Sequence, residues 1–453
     1  MNLDSRPLRG GSFLFSKGGD LEEFTRNSPN QMLTLTQIRE ERDQIIVALS
    51  KRGIDVTDSI DKIIELDKER RSLQKELDDT LAESNSLSRQ IGELMKAGKR
   101  DEAEGVKAAT SGLKQKSSDL KDQMQGHENS MNELLYNIPN TPSELVVAGK
   151  SEEDNEVVST HGEQVDLIDT CKPHWDLAKE KGIIDFDLGA KVTGAGFPFY
   201  KGKGAKLQRG LIRFFLEKAE EAGYTEYIPP LMINSDSGFG TGQLPDKEGQ
   251  MYHMQNDGLY MIPTAEVPLT NIYRDTLLSS SELPIKLCGY TPCFRREAGS
   301  YGKDVRGLNR LHQFDKVEIV QISDPSSSDT ALDGMVAHVQ TLLEGLELPY
   351  RILRLCAGDM GFTAAITYDF EVWSAAQGKW LEVSSVSNFE TFQANRLKCR
   401  YKDEGGKNQL VHTLNGSALA LPRIVAALLE NHQRDGDVII PSALVPFVGF
   451  DRI

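Results

Sequence analysis

Between Thr291 and Glu318 the chain reads TPCFRREAGSYGKDVRGLNRLHQFDKVE. Two apolar-aromatic runs flank a polar, Gly-rich segment, the pattern of an antiparallel strand pair. Arg295 and Glu297 are two apart, so on a strand they point to one face; Phe314 and Glu318, four apart, also share a face. One surface then carries a cation for phosphate, a carboxylate, an aromatic plate for a base and a second carboxylate roughly 13 Å further along. That span suits an adenine at one end and a small amino acid at the other. A salt-bridged surface hairpin is the plainer alternative, but it has little reason to gather Arg, Glu, Phe and Glu on one face.

The chain has 453 residues, 39% of them hydrophobic, enough for two or three domains with a sizeable core. No apolar run approaches the roughly 20 residues that span a bilayer. Cys171, Cys288, Cys293, Cys356 and Cys399 are odd in number, scattered and never in CxxC. A disulfide framework or zinc is therefore not expected, and a reducing, cytoplasmic location fits. The net charge of −16 runs against a nucleic-acid partner, since phosphate binding usually leaves a basic footprint. From Arg89 to Lys121, however, eight Lys or Arg face five Asp or Glu, a local excess of three positive charges. A polyanion could be held there, although a solvated helical face could carry the same charges.

Residues 1–31 hold Arg6 and Arg9 but only one apolar run, Phe13-Leu14-Phe15. A secretory signal needs a longer one, and a transit peptide would avoid Asp4, Asp20, Glu22 and Glu23. A disordered extension is expected. Leu35 to Arg52 reads as one amphipathic helix ended near Gly53. A heptad run comes next, through Leu66, Arg70, Leu73, Leu77, Thr80, Ser84, Leu87, Ile91 and Leu94, and breaks at Ala97-Gly98-Lys99. A second passes through Val106, Thr110, Leu113, Ser117, Leu120, Met124, His127, Met131 and Leu134. The short break forces the two helices back antiparallel, as a coiled-coil hairpin of roughly 50–60 Å. Such a hairpin could equally be a dimerisation or spacer coil. It ends at Asn137-Ile-Pro-Asn-Thr-Pro142, and 143–173 reads as an acidic linker with an entering strand. From 174 to 453, strand-like and helix-like stretches alternate without GxGxxG after a strand or GxxxxGK(S/T), so a mostly antiparallel α+β sheet flanked by helices is expected.

The stretch at Thr291–Glu318 resembles motif 2 of the class II aminoacyl-tRNA synthetases, in the form seen in seryl-tRNA synthetases. VHTLNGSALALPRIVAALLENHQ (411–433) resembles motif 3, and LQRGLIRFFLEKAEEAGYTEYIPP (207–230) the helix and strand of motif 1. The match runs from about Met32 to Ile453 and includes GTGQLPDKEGQMY (240–252) and GDMGFTAA (358–365). It implies a class II catalytic domain over 174–453 and a tRNA-binding arm over 32–142, with its tip near 96–101. On this resemblance Arg295 holds the α-phosphate of ATP and Glu297 the adenine amino group, with Arg296 beside them; Phe314 stacks on the base. Arg423, near the positive end of a helix dipole that opens at Pro422, clamps the γ-phosphate. In WLEVSSVSNFETFQANR (380–396), the EVSS residues Glu382, Val383, Ser384 and Ser385 match the ATP positions, with Glu382 and Ser385 as Mg2+ ligands. Lys303, Arg306 and Arg310 would meet the tRNA acceptor end, and Lys96, Lys99 and Arg100 the body of the tRNA.

Thr264, Ala265 and Glu266 match the TxE element that holds the substrate's α-amino group, with Thr264 and Glu266 on one strand face. Glu318, Asn415 and Ser417 match positions that recognise serine. Alanine would leave Glu318 unpaired in a dry pocket, a mismatch that discriminates strongly. A threonine enzyme would be expected to bring zinc ligands, and none cluster. The implied activity is charging of tRNA(Ser), with tRNA(Sec) a further candidate, by a homodimer using L-serine, ATP and Mg2+. Two alternatives are an amino-acid ligase to a carrier protein, which would lack the arm, and an inactive RNA-binding paralogue. The latter would be expected to have lost one of Arg295, Glu318, Glu382 or Arg423.

Overall fold

The computed structural model describes residues 33–164, 171–297 and 306–453; the 1–31 extension and Lys303 lie outside them. The stretch expected as one helix forms two, α1 (Leu35–Glu40) and α2 (Arg42–Ser50), with Glu41 leaving helical geometry at φ −118° and ψ 23°. Leu35 and Ile38 of the first, and Ile45 and Leu49 of the second, face one small core with Ile60, Ile63 and Leu135. Arg39 reaches Asp67 at 2.6 Å and Arg42 reaches Asp61 at 2.6 Å.

Helices α3 (Thr57–Lys96) and α4 (Arg100–Leu135) form the hairpin. Every residue of both heptad runs is buried or half-buried, while most residues between them are exposed. The weak second seam is tolerated because its hydroxyls bond within their own helix. Thr110 Oγ1 donates to the Val106 carbonyl at 2.9 Å, and Ser117 Oγ to that of Leu113 at 2.9 Å. Both hydroxyls are thereby satisfied away from water.

The rest is built on an eight-stranded sheet. Its strands in chain order are β1 (Glu156–His161), β2 (Thr225–Glu226), β3 (Ile285–Phe294), β4 (Gln313–Ser323), β5 (Tyr350–Arg354), β6 (Ile366–Ser374), β7 (Lys379–Glu390) and β8 (His412–Ala420). Their spatial order is β1-β5-β6-β7-β8-β4-β3-β2. All neighbours are antiparallel except β2 and β3. The expected linker 143–173 therefore includes a strand that joins the sheet edge. Among the helices around this sheet are α5 (His174–Glu180), α6 (Lys203–Glu221), α7 (Glu266–Asn271), α8 (Ser328–Gly345), α9 (Thr391–Leu397) and α10 (Leu421–Asn431). Leu211 and Phe215 of α6, Met335 and Val339 of α8, and Ile424 and Leu428 of α10 share a core with Val317, Ile319, Phe370 and Val386 of the sheet. Strand alternation then fixes the opposite face: with Val317 and Ile319 buried against helices, Lys316 and Glu318 must point to the other side. Among the described residues no helix is long and apolar enough to cross a membrane.

The hairpin's base is tied to the sheet by side chains aimed at backbone carbonyls. Arg52 donates to the carbonyls of Asn140 at 3.1 Å, Met360 at 3.1 Å and Ala364 at 2.7 Å. Burial lowers its guanidinium to about 10.

Candidate active site

The face of β4, β7 and β8 turned away from α6, α8 and α10 lines two adjoining hollows that share Arg295, Glu297, Lys316, Glu382 and Ser417. The narrower is walled by Leu308, Asn309, Arg310, Phe314, Val383, Ser384 and Arg423. The wider, about 620 Å³, is floored by Thr264, Glu266, Glu318, Ser385 and Asn415 and opens past Tyr136 and Phe362.

Glu318 is fully buried at the floor. Lys316 Nζ lies 2.5 Å from its Oε2, Thr264 Oγ1 donates to the same oxygen at 3.1 Å, and Asn415 Nδ2 donates to Oε1 at 3.0 Å. A buried carboxylate keeps its charge only when so supplied. Lys316 was missed in the sequence, although it sits midway between Phe314 and Glu318 and alternation places it on their face.

Thr264 and Glu266 do not lie on a strand, as the sequence suggested. Thr264 is in the loop after a strand ending at Met261, and Glu266 is the first residue of α7. The two still meet, because Thr264 Oγ1 accepts the Glu266 N–H at 3.2 Å. Glu266 also accepts from Gln393 Nε2 of α9 at 2.8 Å, a second partner the sequence did not suggest. Burial, reinforced by the like charge of Glu318, pushes the Glu266 carboxyl up to about 7. Ala265 is buried in a small cluster with Leu269, Leu287 and Val320 and does not line either hollow.

Strand β3 ends at Phe294, so Arg295 and Glu297 are gathered by the chain's turn and not by strand alternation. Glu297 has φ 49°, in the left-handed region, and its carboxylate lies 3.2 Å from Arg310 Nη1. The Arg295 guanidinium stands 5.2 Å from the centre of the Phe314 ring, so cation and plate are neighbours. Arg296 points elsewhere, over Tyr252 at 5.4 Å, and lines neither hollow. Its expected place at the nucleotide is thereby corrected, since the turn after Phe294 directs its guanidinium onto Tyr252. Arg310 lines the narrower hollow, while Arg306 lies over Trp175 at 4.8 Å.

Strand β7 is central, between β6 and β8, and not an edge. Glu382 and Ser385 are three apart and on a regular strand would face opposite sides. The pairing with β6 slips between Phe370 and Glu371, which oppose Ser384 and Glu382 and leave Val383 as an extra residue. This bulge turns Glu382 and Ser385 to the same hollow. Ser384, buried, donates to the Ser417 carbonyl at 2.6 Å and ties β7 to β8. Asp369 of β6 is held well above the usual carboxylate range by burial and then by Glu382; a hydrogen bond from Ser385 opposes this. Arg423, in the first turn of α10, donates from Nη1 to the Glu382 carbonyl at 2.5 Å and from Nε to that of Asn309 at 3.2 Å.

This pairing of an antiparallel class II-type sheet with a long helical hairpin has close counterparts. A family model described as the tRNA synthetase class II core domain (G, H, P, S and T) matches residues 251–432, and one for the seryl-tRNA synthetase N-terminal domain matches 32–142. A serine–tRNA ligase of Salinibacter ruber is 52% identical over 424 residues, covering 93% of this chain and 99% of the relative. One of Methylacidiphilum infernorum is 48% identical, covering 91% and 98%. The crystal structure of seryl-tRNA synthetase from Pyrococcus horikoshii complexed with ATP superposes with a TM-score of 0.86 at 34% identity, covering 93% of this chain and 99% of that one.

The chain belongs to the seryl-tRNA synthetase family. Members of that family are ligases, and this chain is an enzyme of that class. Against that membership, Arg295, Glu297, Phe314, Glu382, Ser385, Glu318, Asn415, Ser417 and Arg423 all line the two hollows. Lys96, Lys99 and Arg100 are exposed at the hairpin tip, and Lys99 pairs locally with Glu102 at 3.0 Å.

Proposed function

We propose that the chain activates L-serine with ATP and transfers the seryl group to the 3′ end of tRNA(Ser), with tRNA(Sec) as a second acceptor. The observation that carries the specificity is Glu318, dry at the pocket floor and supplied by Lys316, Thr264 and Asn415. A hydroxyl-bearing ligand can donate to that carboxylate, whereas a methyl cannot, and the polar mismatch discriminates. Glu266, beside it, receives the substrate ammonium.

In the first step the serine carboxylate oxygen attacks the α-phosphorus, and the bond to the bridging oxygen breaks, releasing pyrophosphate. In the second, a ribose hydroxyl of the tRNA attacks the acyl carbon and AMP leaves. Little covalent work falls to the protein, so its contribution is placement and charge neutralisation. Arg295 lies against the α-phosphate and Arg423 against the terminal one. Phe314 presents its ring to the adenine, and Glu297 accepts from the adenine amino group.

Among the described residues no group of three or more His, Cys, Asp or Glu is gathered as a metal site. A cation here would take its remaining donors from phosphate and water. Glu382 and Ser385 offer the hard oxygen donors that Mg2+ takes, on one side of one hollow, so the residues fit that ion. When bound, Mg2+ would neutralise phosphate charge.

The hairpin carries tRNA along its length, presenting Lys96, Lys99 and Arg100 to phosphates. A second copy of the chain would cover the apolar surface after β2, where Ile228 is 91% exposed and Tyr227, Leu231 and Met232 are exposed too. ATP–pyrophosphate exchange with each amino acid in turn, then charging of bulk tRNA, tests the proposal. Serine alone should support strong exchange; equal exchange with threonine, proline or glycine would refute it.

A further inference from the structure

Away from the substrate hollows, a buried polar chain runs behind the wall of the narrower one. It begins at His174, the first residue of α5, which is fully buried with Glu430 of α10. His174 Nε2 lies 2.9 Å from the Leu308 N–H. A backbone N–H can only donate, so Nε2 accepts and the ring proton sits on Nδ1. From there it donates to Glu430 Oε1 at 2.7 Å. The other Glu430 oxygen accepts from Ser374 Oγ. Burial pushes the Glu430 carboxyl up, but the hydrogen bonds from His174 and Ser374 outweigh it and hold it below its ordinary range. Ser374 in turn accepts from Gln377 Nε2 at 2.9 Å, and Gln377 Oε1 accepts from Asn309 Nδ2 at 2.9 Å. The Asn309 carbonyl accepts from Arg423 Nε at 3.2 Å.

The chain thus leaves the hollow at Leu308 and returns to it at Asn309, one residue on, and its last link is the guanidinium of Arg423. Residues 306–312 are in neither helix nor strand, so no ladder sets the position of this wall. Gly307 makes the contact possible. Its φ is 68°, and a Cβ there would fall 2.2 Å from His174 Nε2. A network serving stability alone has no need to end on Arg423.

We propose that His174, with Glu430, Ser374 and Gln377 behind it, is a positioning residue for the nucleotide. It fixes Leu308 and Asn309 as the pocket wall and, through the Asn309 carbonyl, the plane of the Arg423 guanidinium. This rests on the reading of the narrower hollow as the ATP site.

The variants His174→Asn, His174→Gln and Gln377→Ala separate placement from stability. Asn keeps a donor for Glu430 but loses the acceptor for the Leu308 N–H. Gln places its Oε1 where Nε2 stood and keeps that acceptor. In serine-dependent ATP–pyrophosphate exchange, His174→Asn and Gln377→Ala should raise the KM for ATP by roughly five- to twentyfold. The KM for serine should stay within about twofold, and His174→Gln should recover most of the loss at a similar Tm to His174→Asn. Lower Tm with an unchanged ATP KM would overturn the proposal, as would equal rises in both KM values. If His174→Asn does not fold, Gln377→Ala decides the matter, since Gln377 lies in the turn between β6 and β7. Wild-type enzyme that binds no ATP would refute the pocket assignment instead, and is read first.

Discussion

Glu266 gives the sharpest prediction, because its environment sets a pH at which serine binding should change. Its carboxyl is pushed up to about 7 by burial and by the Glu318 charge, yet the proposed role requires it ionised against the substrate ammonium. Below pH 7 the empty site holds a proton that must leave before serine docks. Affinity should therefore fall by a factor of one plus ten to the power of seven minus pH. Between pH 7.5 and 6.0 that is about eightfold, or about 1.2 kcal/mol. The KM for serine in pyrophosphate exchange, at fixed ionic strength, should rise by this amount; Glu266→Gln should have a higher KM that is flat with pH. A flat wild-type curve, or the same slope in Glu266→Gln, would refute the reasoning. The stability consequence has the opposite sense. The folded value is raised above the reference 4.5, so its stabilising contribution is complete below pH 4.5 and is lost as pH rises through about 7. The loss is up to about 3 kcal/mol, readable as the difference from Glu266→Gln in urea unfolding.

Glu318→Ala should lose roughly 2–4 kcal/mol of transition-state binding with serine and its discrimination against alanine. It should also lose about 3–5 kcal/mol of stability, because Lys316 is left buried without its carboxylate; unfolding curves unchanged from wild type would contradict the buried pairing. Arg423→Ala should cut adenylate formation by roughly two to three orders of magnitude, with near-normal exchange showing that the nucleotide is misplaced. Charge reversal at Lys96, Lys99 and Arg100 should leave serine-dependent exchange intact and weaken tRNA charging. Intact charging would remove the hairpin tip from the tRNA surface.

Much of this protein is written in local pattern. The two heptad runs, the turn at Ala97–Lys99 and the strand pair around Phe314 come from periods of 3.5 and 2 that can be counted along the chain. The side chains of Phe314 and Glu318 came out on the expected face because burying Val317 and Ile319 leaves the alternate residues no other direction. The same parity failed at Glu382 and Ser385, where an odd separation argues for opposite faces and a bulge at Val383 reverses it. It failed again for Thr264 and Glu266, which a loop and a helix start bring together instead of a strand.

The sequence by itself determined the helical hairpin, the antiparallel core and the identity of most polar groups that line the hollows, because each depends on neighbours within a turn or a strand. Only the tertiary structure decided which of those groups share a charge. Lys316 against Glu318, Gln393 against Glu266, and the chain from His174 to Arg423 join residues up to 256 positions apart, as His174 and Glu430 are. No period in the chain encodes such contacts. They arise when separate elements are pressed together by burial, and each buried polar group must then find its partner from whatever the fold has brought within reach.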